Sequence, residues 1–320
     1  MKTKIITSVI VCIAIISFST PKILSDYDQE VEFPDETLEK VIREKIGKPS
    51  GQIYEGNLWG ITNLDLEDRF IKNIEGLQYC RNLEKIRLTD NKITDISPLA
   101  GLAVLTELKL GGNNISDLSP LADLTSLQNL RITSNNIVDI SPLVNLTELS
   151  WLLLDDNYLS DISPLANLTN LSIVSLHYNA IRDITPLKQL TKIGDMNLQY
   201  TGIEYHLDLG GNFIEDLSPL VENPGIDEGD EVILAYNPLN KKSIEEYIPK
   251  LKGRGVTVGW QESNVVETMI PESPTGTTPA EPASPKKDNT PVYLGVVGIL
   301  AALVLVVYLV RKQYYHRGRN

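Results

Sequence analysis

Asn91, Asn113, Asn135, Asn157 and Asn179 follow one another at intervals of 22 residues. Between them the chain repeats one pattern, Leu-x-x-Leu-x-Leu-x-x-Asn-x-Ile-x-Asp-Ile-Ser-Pro-Leu-x-x-Leu-x-x, beginning at Leu83. No other feature constrains the fold as tightly. A unit this short cannot bury its own leucines, so each must pack them against the unit before and the unit after. The chain is therefore a stack of coils sharing one continuous core.

In each coil the Leu-x-x-Leu-x-Leu segment reads as a short strand. The architecture expected is an α/β solenoid of leucine-rich repeats. It is a curved superhelix with a parallel concave β-sheet, short 3-10 or helical turns on the convex side, and helical caps at both ends. Asn91, Asn113, Asn135, Asn157, Asn179, Asn212 and Asn237 form a structural ladder whose amides turn inward to satisfy backbone groups that strand pairing leaves over. Ser97 is expected to cap the following turn, with Pro98 as its first residue. The same pair recurs at Ser119-Pro120, Ser141-Pro142, Ser163-Pro164 and Thr185-Pro186. Arg69 and Thr201 stand where the ladder expects Asn and mark irregular coils. Leu38, Val41, Ile42 and Ile46 recur at helical spacing after Pro34-Asp35, and Gly47 and Pro49 end that cap helix. Ser243-Ile244-Glu245-Glu246 reads as a capping box opening the second cap.

The beat slips once: Asn179 to Asn212 is 33 residues and Asn212 to Asn237 is 25. Reading residues 196–200 and 207–211 as successive rungs leaves about six residues between them, too few for a parallel crossover. A hairpin-like, distorted coil is expected around Gln199 to Tyr205.

The ends point to a membrane. Lys2 and Lys4 precede an apolar run, Ile5 to Phe18, the layout of a secretory signal peptide over residues 1–25. Cleavage is expected after about Ser19 or after Ser25, with an uncleaved anchor as the alternative. Residues 27–60 form the N-terminal cap, 61–240 the repeats and 241–261 the C-terminal cap. Residues 262–290, rich in Pro and Thr, hold too few apolar groups to offset ordering and read as a disordered stalk. Val292 to Val310 carries no charge, and about 20 apolar residues span a bilayer core. Arg311, Lys312, Arg317 and Arg319 in the tail, residues 311–320, then place the C-terminus in the cytoplasm and the repeats outside. This is a single-pass type I arrangement at the cell membrane.

The net charge of -13 and pI near 4.8 argue against a nucleic-acid partner and otherwise report solubility. Cys12 lies in the apolar leader, and Cys80 falls on a core-leucine position, leaving no disulfide within the mature chain. Asn114-Ile115-Ser116, Asn145-Leu146-Thr147, Asn167-Leu168-Thr169 and Asn170-Leu171-Ser172 match glycosylation acceptors, but they arise from the repeat grammar itself.

Strand side chains alternate, so the positions between core leucines face the concave surface. By rung the first column reads Lys85, Glu107, Asn129, Trp151, Ile173, Asp195. The second reads Arg87, Lys109, Arg131, Leu153, Ser175, Asn197. The third reads Thr89, Gly111, Thr133, Asp155, His177, Gln199, flanked by Asp90, Gly112, Ser134, Asp156, Tyr178, Tyr200. A basic strip (Arg87, Lys109, Arg131) thus meets an apolar cluster (Trp151, Leu153, Ile173) bordered by Asp155, His177, Tyr178 and Tyr200. Trp151 is expected to be exposed and to act as a binding hot spot, unless a neighbouring segment folds over it. No Ser-His-Asp, Cys-His or paired-carboxylate spacing suggests an enzyme. His177 one rung above Asp155 is too little for a metal site, and no cofactor is implied.

The 22-residue unit with Asp-Ile-Ser-Pro-Leu resembles the bacterial internalin-type leucine-rich repeats over roughly residues 31–260, helical N-terminal cap included. The resemblance implies a secreted or surface-attached module that grips protein partners with its concave face. Two departures stand out. The immunoglobulin-like domain usual after such repeats is absent, and the anchor reads as a transmembrane helix without a Leu-Pro-x-Thr-Gly sorting signal. The function expected is a membrane-anchored extracellular protein that binds a protein or glycan ligand, with a monomeric ectodomain. The alternative is a structural, self-associating envelope protein with no foreign ligand.

Overall fold

The computed structural model describes residues 29–196 and 205–260. The signal peptide, stalk, membrane span and tail read from the sequence lie outside these residues, as does Tyr200. Among the described residues no helix is long and apolar enough to cross a membrane.

Nine parallel strands form one sheet: β3 (Asn63–Asp65), β4 (Lys85–Arg87), β5 (Glu107–Lys109), β6 (Asn129–Arg131), β7 (Trp151–Leu153), β8 (Ile173–Ser175), β9 (Leu207–Asp208), β10 (Glu231–Ile233) and β11 (Thr257–Gly259). They are paired in chain order, and each pairing from β3 to β8 advances by one repeat, as in Lys85↔Glu107↔Asn129. The central residue of each rung, from Ile86, Leu108, Leu130 and Leu152 to Val174, Leu207 and Val232, is fully buried. This is the inward face of a leucine-rich repeat solenoid.

The ladder asparagines knit successive coils. Asn113 donates from Nδ2 to Leu88 O (2.9 Å) and Leu110 O (2.9 Å), and its Oδ1 accepts from Ile93 N–H (3.0 Å). One buried side chain therefore satisfies backbone groups of two coils at once. Asn91, Asn135, Asn157, Asn179, Asn212 and Asn237 bridge their neighbours in the same way.

At the N-terminal end, β1 (Glu30–Val31) pairs antiparallel with β2 (Ile53–Tyr54) around the cap helix Glu36–Ile46. Asp35 does double duty. Its Oδ1 caps Thr37 N–H (3.1 Å) and Leu38 N–H (3.2 Å), while its Oδ2 accepts from Lys72 N–H (2.9 Å) and so ties the helix to the first coil. Gly47 ends the helix at φ 66°, left-handed backbone that glycine adopts freely.

Three local expectations are corrected. The convex turns, such as Ser97–Leu99 and Ser119–Leu121, are not capped by serine. Asp95 Oδ1 accepts the Ser97 N–H (2.8 Å), and Asp117, Asp139, Asp161 and Asp183 do the same in their coils. A serine cap has nothing to bind here, because Pro98 has no N–H and Leu99 N–H already bonds Ile96 O (2.9 Å). At the far end Ser243 is likewise not a cap. Asn240 Oδ1 accepts its N–H (2.8 Å), and the buried Ser243 hydroxyl donates to Glu215 O (2.8 Å). A π-helical turn, Ser243–Tyr247, runs on into the α-helix Ile248–Gly253.

The third correction concerns register. β8 pairs directly with β9, Val174↔Leu207 and Ser175↔Asp208, so no further rung stands between them. Asn212 follows Asn179 directly in the ladder, accepting Ile181 N–H (3.0 Å). The extra residues of this long interval are an insertion between two ordinary rungs. The parallel crossover from β8 to β9 then has its full length, and the distorted coil expected around Gln199 to Tyr205 lies, but for Tyr205, outside the described residues.

Candidate functional site

The register determines what the concave face displays. After Ile173, Ser175 and His177, the next rung presents His206, Asp208 and Gly210, in place of Asp195, Asn197 and Gln199. The face then divides into two zones.

On β4 and β5 it is solvated and charge-compensated. Glu107 sits between Lys109 (3.0 Å) and Lys85 (3.7 Å), and Arg87 pairs with Asp65 (3.6 Å). The basic strip read from Arg87, Lys109 and Arg131 is therefore balanced over its first two members. Exposed pairs of this kind contribute about 0–1 kcal/mol each. Arg131 differs. Among the described residues it makes no ion pair, and its guanidinium carbon lies 3.9 Å from the centre of the Trp151 ring. Burial works against its charge, while Glu107 supports it.

On β7 and β8 the outward side chains are buried as well as the inward ones. Trp151 is 9% exposed, Leu153 6% and Ile173 0%, and Met196 packs against them as a second cluster separate from the main core. The expectation of an exposed Trp151 is thus corrected. The insertion returns past this face as far as Met196, and Arg131 covers the indole from the neighbouring rung, so an outward position becomes an interior one.

Beyond the apolar cluster lies a polar network. Asp155 accepts from the Ser175 hydroxyl and from His177 N–H (2.9 Å). His177 Nδ1 meets Asp208 Oδ1 at 3.1 Å, and Asp208 also accepts Gly210 N–H (2.8 Å). Burial raises the Asp155 carboxyl above its ordinary range, against the hydrogen bonds that favour its charge. For His177 burial opposes the charged ring, but the hydrogen bond and charge of Asp208, helped by Asp155, outweigh it and the net shift is upward. Tyr205 also bonds Ser175, and His206 ties the insertion to the sheet by Nε2 at 3.0 Å from Met196 O. The Ser175 hydroxyl is fully buried and engaged by the Asp155 carboxylate. Among the described residues no group of three or more His, Cys, Asp or Glu is arranged to hold a metal ion.

The rim beside this network is aromatic. Tyr178 is half-exposed, meets the His177 ring edge-on at 3.9 Å, and its ring fills the space a side chain at Gly211 would need. Tyr236, two rungs on, is 62% exposed. Both have positive φ, 51° and 61°, at the position where other coils place Asp, Ser or Gly. Side chains such as tyrosine adopt that conformation at a cost of about 1–2 kcal/mol.

Of the residues singled out in the sequence, Trp151, Leu153 and Ile173 lie together, Asp155 and His177 share one network, and Tyr178 borders it. Arg131 joins the apolar group, while Arg87 and Lys109 stand apart in the charge-compensated zone. Met196, Tyr205, His206 and Asp208 were not identified, because the rung assignment slipped. The spacing Leu207-x-Leu209-x-x-Asn212 marks their rung in the sequence, but the extra rung read at 196–200 separates it from β8.

Residues 104–145 match the family model for leucine-rich repeats in two copies. No match is found among curated proteins. Among solved structures, internalin C2 of Listeria monocytogenes is 33% identical with a TM-score of 0.60, covering 72% of this chain and 94% of its own. A second internalin of that organism is 30% identical with a TM-score of 0.55, covering 71% of this chain and 68% of its own. A leucine-rich repeat protein of Leptospira interrogans, 21% identical at a TM-score of 0.52, shares the fold, with 63% of this chain and 55% of that one covered.

Proposed function

This chain belongs to the internalin family of leucine-rich repeat proteins, and on that premise we propose that it binds a protein partner through the concave face, at the zone from Arg131 to His177. The observation that carries this reading is the second hydrophobic cluster. A sheet face that is solvated over β4 and β5 gathers Trp151, Leu153 and Ile173 over β7 and β8, beside half-exposed Tyr178. Apolar anchors ringed by polar and charged groups are the composition of interface centres. Asp155, His177 and Arg131 border the anchors, with Arg87 and Lys109 as rim charges that steer approach and act mainly at low salt.

The protein works at the cell surface in this reading, exported by residues 1–25, held by the uncharged run 292–310 and lifted on the stalk 262–290. The stalk would reach roughly 30 to 90 Å, depending on its stiffness.

Charge reversal tests the face. A screen of surface proteins against the full-length protein should yield a partner whose affinity falls at least tenfold on His177→Glu combined with Tyr178→Ala. Asp117→Lys with Asp139→Lys, on the convex side, should leave it unchanged. Loss by the convex pair and not the concave pair would refute the site. Self-association abolished by the concave pair would instead establish the structural, envelope-forming role.

A further inference from the structure

Three polar side-chain atoms on the concave face are buried and have no hydrogen-bond partner among the described residues: Asn129 Oδ1, Arg131 Nε and the indole Nε1 of Trp151. They are neighbours. Asn129 pairs with Trp151 across β6 and β7, Arg131 lies on the same strand as Asn129, and its guanidinium sits over the indole. An unsatisfied buried group costs about 1–3 kcal/mol, and native proteins hold few of them. Three in contact, two of them donors, describe a site whose bonding is completed by something else.

The geometry points to a seat for a carboxylate, an aspartate or glutamate side chain of the protein partner, at Arg131 and Trp151. This inference rests on the concave-face reading above and deepens it by naming the partner's chemistry. A guanidinium offers a planar fork that matches two carboxylate oxygens, and the indole N–H of the ring beneath it is a further unpartnered donor. A half-turn of the Asn129 amide adds another. The other cations nearby are already engaged: Lys85 and Lys109 by Glu107, Arg87 by Asp65. Of these four cations, Arg131 alone has no ion pair among the described residues. Glu107 one rung away keeps the local field low, which suits a singly charged carboxylate and disfavours a polyanion such as a sulfated glycan. Leu153, Ile173 and Met196 pack beside Trp151 and form the apolar wall of the seat. Arg131 is part-exposed and acts as the movable member, its side chain turning off the indole as the carboxylate enters.

The full-length protein, labelled with 15N, reports this directly. The chain has three tryptophans, and Trp151→Phe assigns the indole signal of Trp151. The probe is the peptide acetyl-Leu-Glu-Leu-amide, compared with acetyl-Leu-Gln-Leu-amide and a heparin hexasaccharide. The glutamate peptide should move the Trp151 signal saturably, with the glutamine peptide at least tenfold weaker. Arg131→Met, which keeps an apolar stem over the indole, should abolish the shift, and Arg131→Lys should weaken it. An unmoved signal, equal shifts with the two peptides, or a shift that persists in Arg131→Met overturns the seat. A response to heparin alone overturns it in favour of a glycan. The glutamate–glutamine comparison uses the unmutated chain, so it decides even if the variants misfold. Loss of the carboxylate response with partner binding still sensitive to His177→Glu and Tyr178→Ala removes the seat and leaves the binding face. A saturable response with no concave-face partner does the reverse.

Discussion

The coils of β4 and β5 and those of β7 to β9 are built from the same repeat, yet they use their outward positions in opposite ways. In the first group the side chains between core leucines are solvated and neutralise one another across rungs, as Lys85, Glu107 and Lys109 do. In the second they are buried and form an apolar cluster and a carboxylate–histidine network. The scaffold is identical. What differs is the insertion between Asn179 and Asn212, which brings Met196 and Tyr205 onto the face. A repeat protein can therefore build a specific site without altering its coils, by interrupting them once.

If the scaffold is equivalent in the two regions, breaking its ladder should cost the same in either. Asn135→Ala removes donors to Leu110 O (3.0 Å) and Thr133 O (3.0 Å) and the acceptor for Ile115 N–H (2.9 Å). Each orphaned group costs about 1–3 kcal/mol, so the loss should be about 3 kcal/mol or more. Asn212→Ala, at the insertion, frees the partners Leu176 O, Leu209 O and Ile181 N–H and should match it. Asn114→Ala, exposed and one residue past the ladder, should change little. Chemical unfolding of the three variants checks this, and a much smaller loss for Asn212→Ala would break the equivalence.

The fold was legible because the period carries its physics openly. Leucines at fixed spacing declare the core, and the asparagine after them declares where orphaned backbone must be satisfied. The caps were legible too, from apolar spacing at Leu38, Val41 and Ile42 and from the stop at Gly47. The site was legible only in part. Trp151, Leu153 and Ile173 were recognised as one outward cluster, but outward was equated with exposed, and burial of Trp151 depends on Arg131 and Met196. Met196 is brought there by an aperiodic segment with no repeat grammar to place it. Asp208 and His206 were lost for a different reason. A one-coil error in counting moves every side chain to another rung, so Asp195 was set beside Ile173 where His206 belongs. Serine caps failed because the turns are short 3-10 pieces of three to five residues with too few free amides.

Burial of Trp151 sharpens the comparison further. A fully exposed concave tryptophan would contribute nothing to folding, whereas truncating a buried one costs about 3–5 kcal/mol. At 9% exposure, and with solvent on the far side of its cluster, Trp151→Ala should cost near the low end, about 3 kcal/mol. Arg87→Ala, an outward residue of the regular coils with a half-exposed side chain, should stay within about 0.5 kcal/mol. Thermal unfolding of the pair separates the zones. If Trp151→Ala is as silent as Arg87→Ala, the interrupted region is solvated after all and its contrast with the regular coils disappears.

The smallest effect expected is a slope with pH. His177 binds its proton more tightly in the folded chain than in the unfolded one, because Asp208 and Asp155 outweigh burial. A histidine raised in this way stabilises the fold fully below its unfolded value, about 6.5, and that contribution is lost as pH rises through the higher folded value. Asp155, raised by burial, acts with the same sign, its proton uptake favouring the folded chain towards lower pH. Thermal midpoints should therefore fall from pH 6 towards pH 8, and His177→Asn, which cannot take up a proton, should flatten that part of the profile. The regular coils supply an internal control, since Lys109→Gln removes a concave charge paired with Glu107, outside the His177 network, and should leave the slope intact. Parallel profiles for the unmutated chain and His177→Asn would mean that Asp208 does not hold a proton on His177, and that the polar network is no more responsive than the ion pairs of β4 and β5.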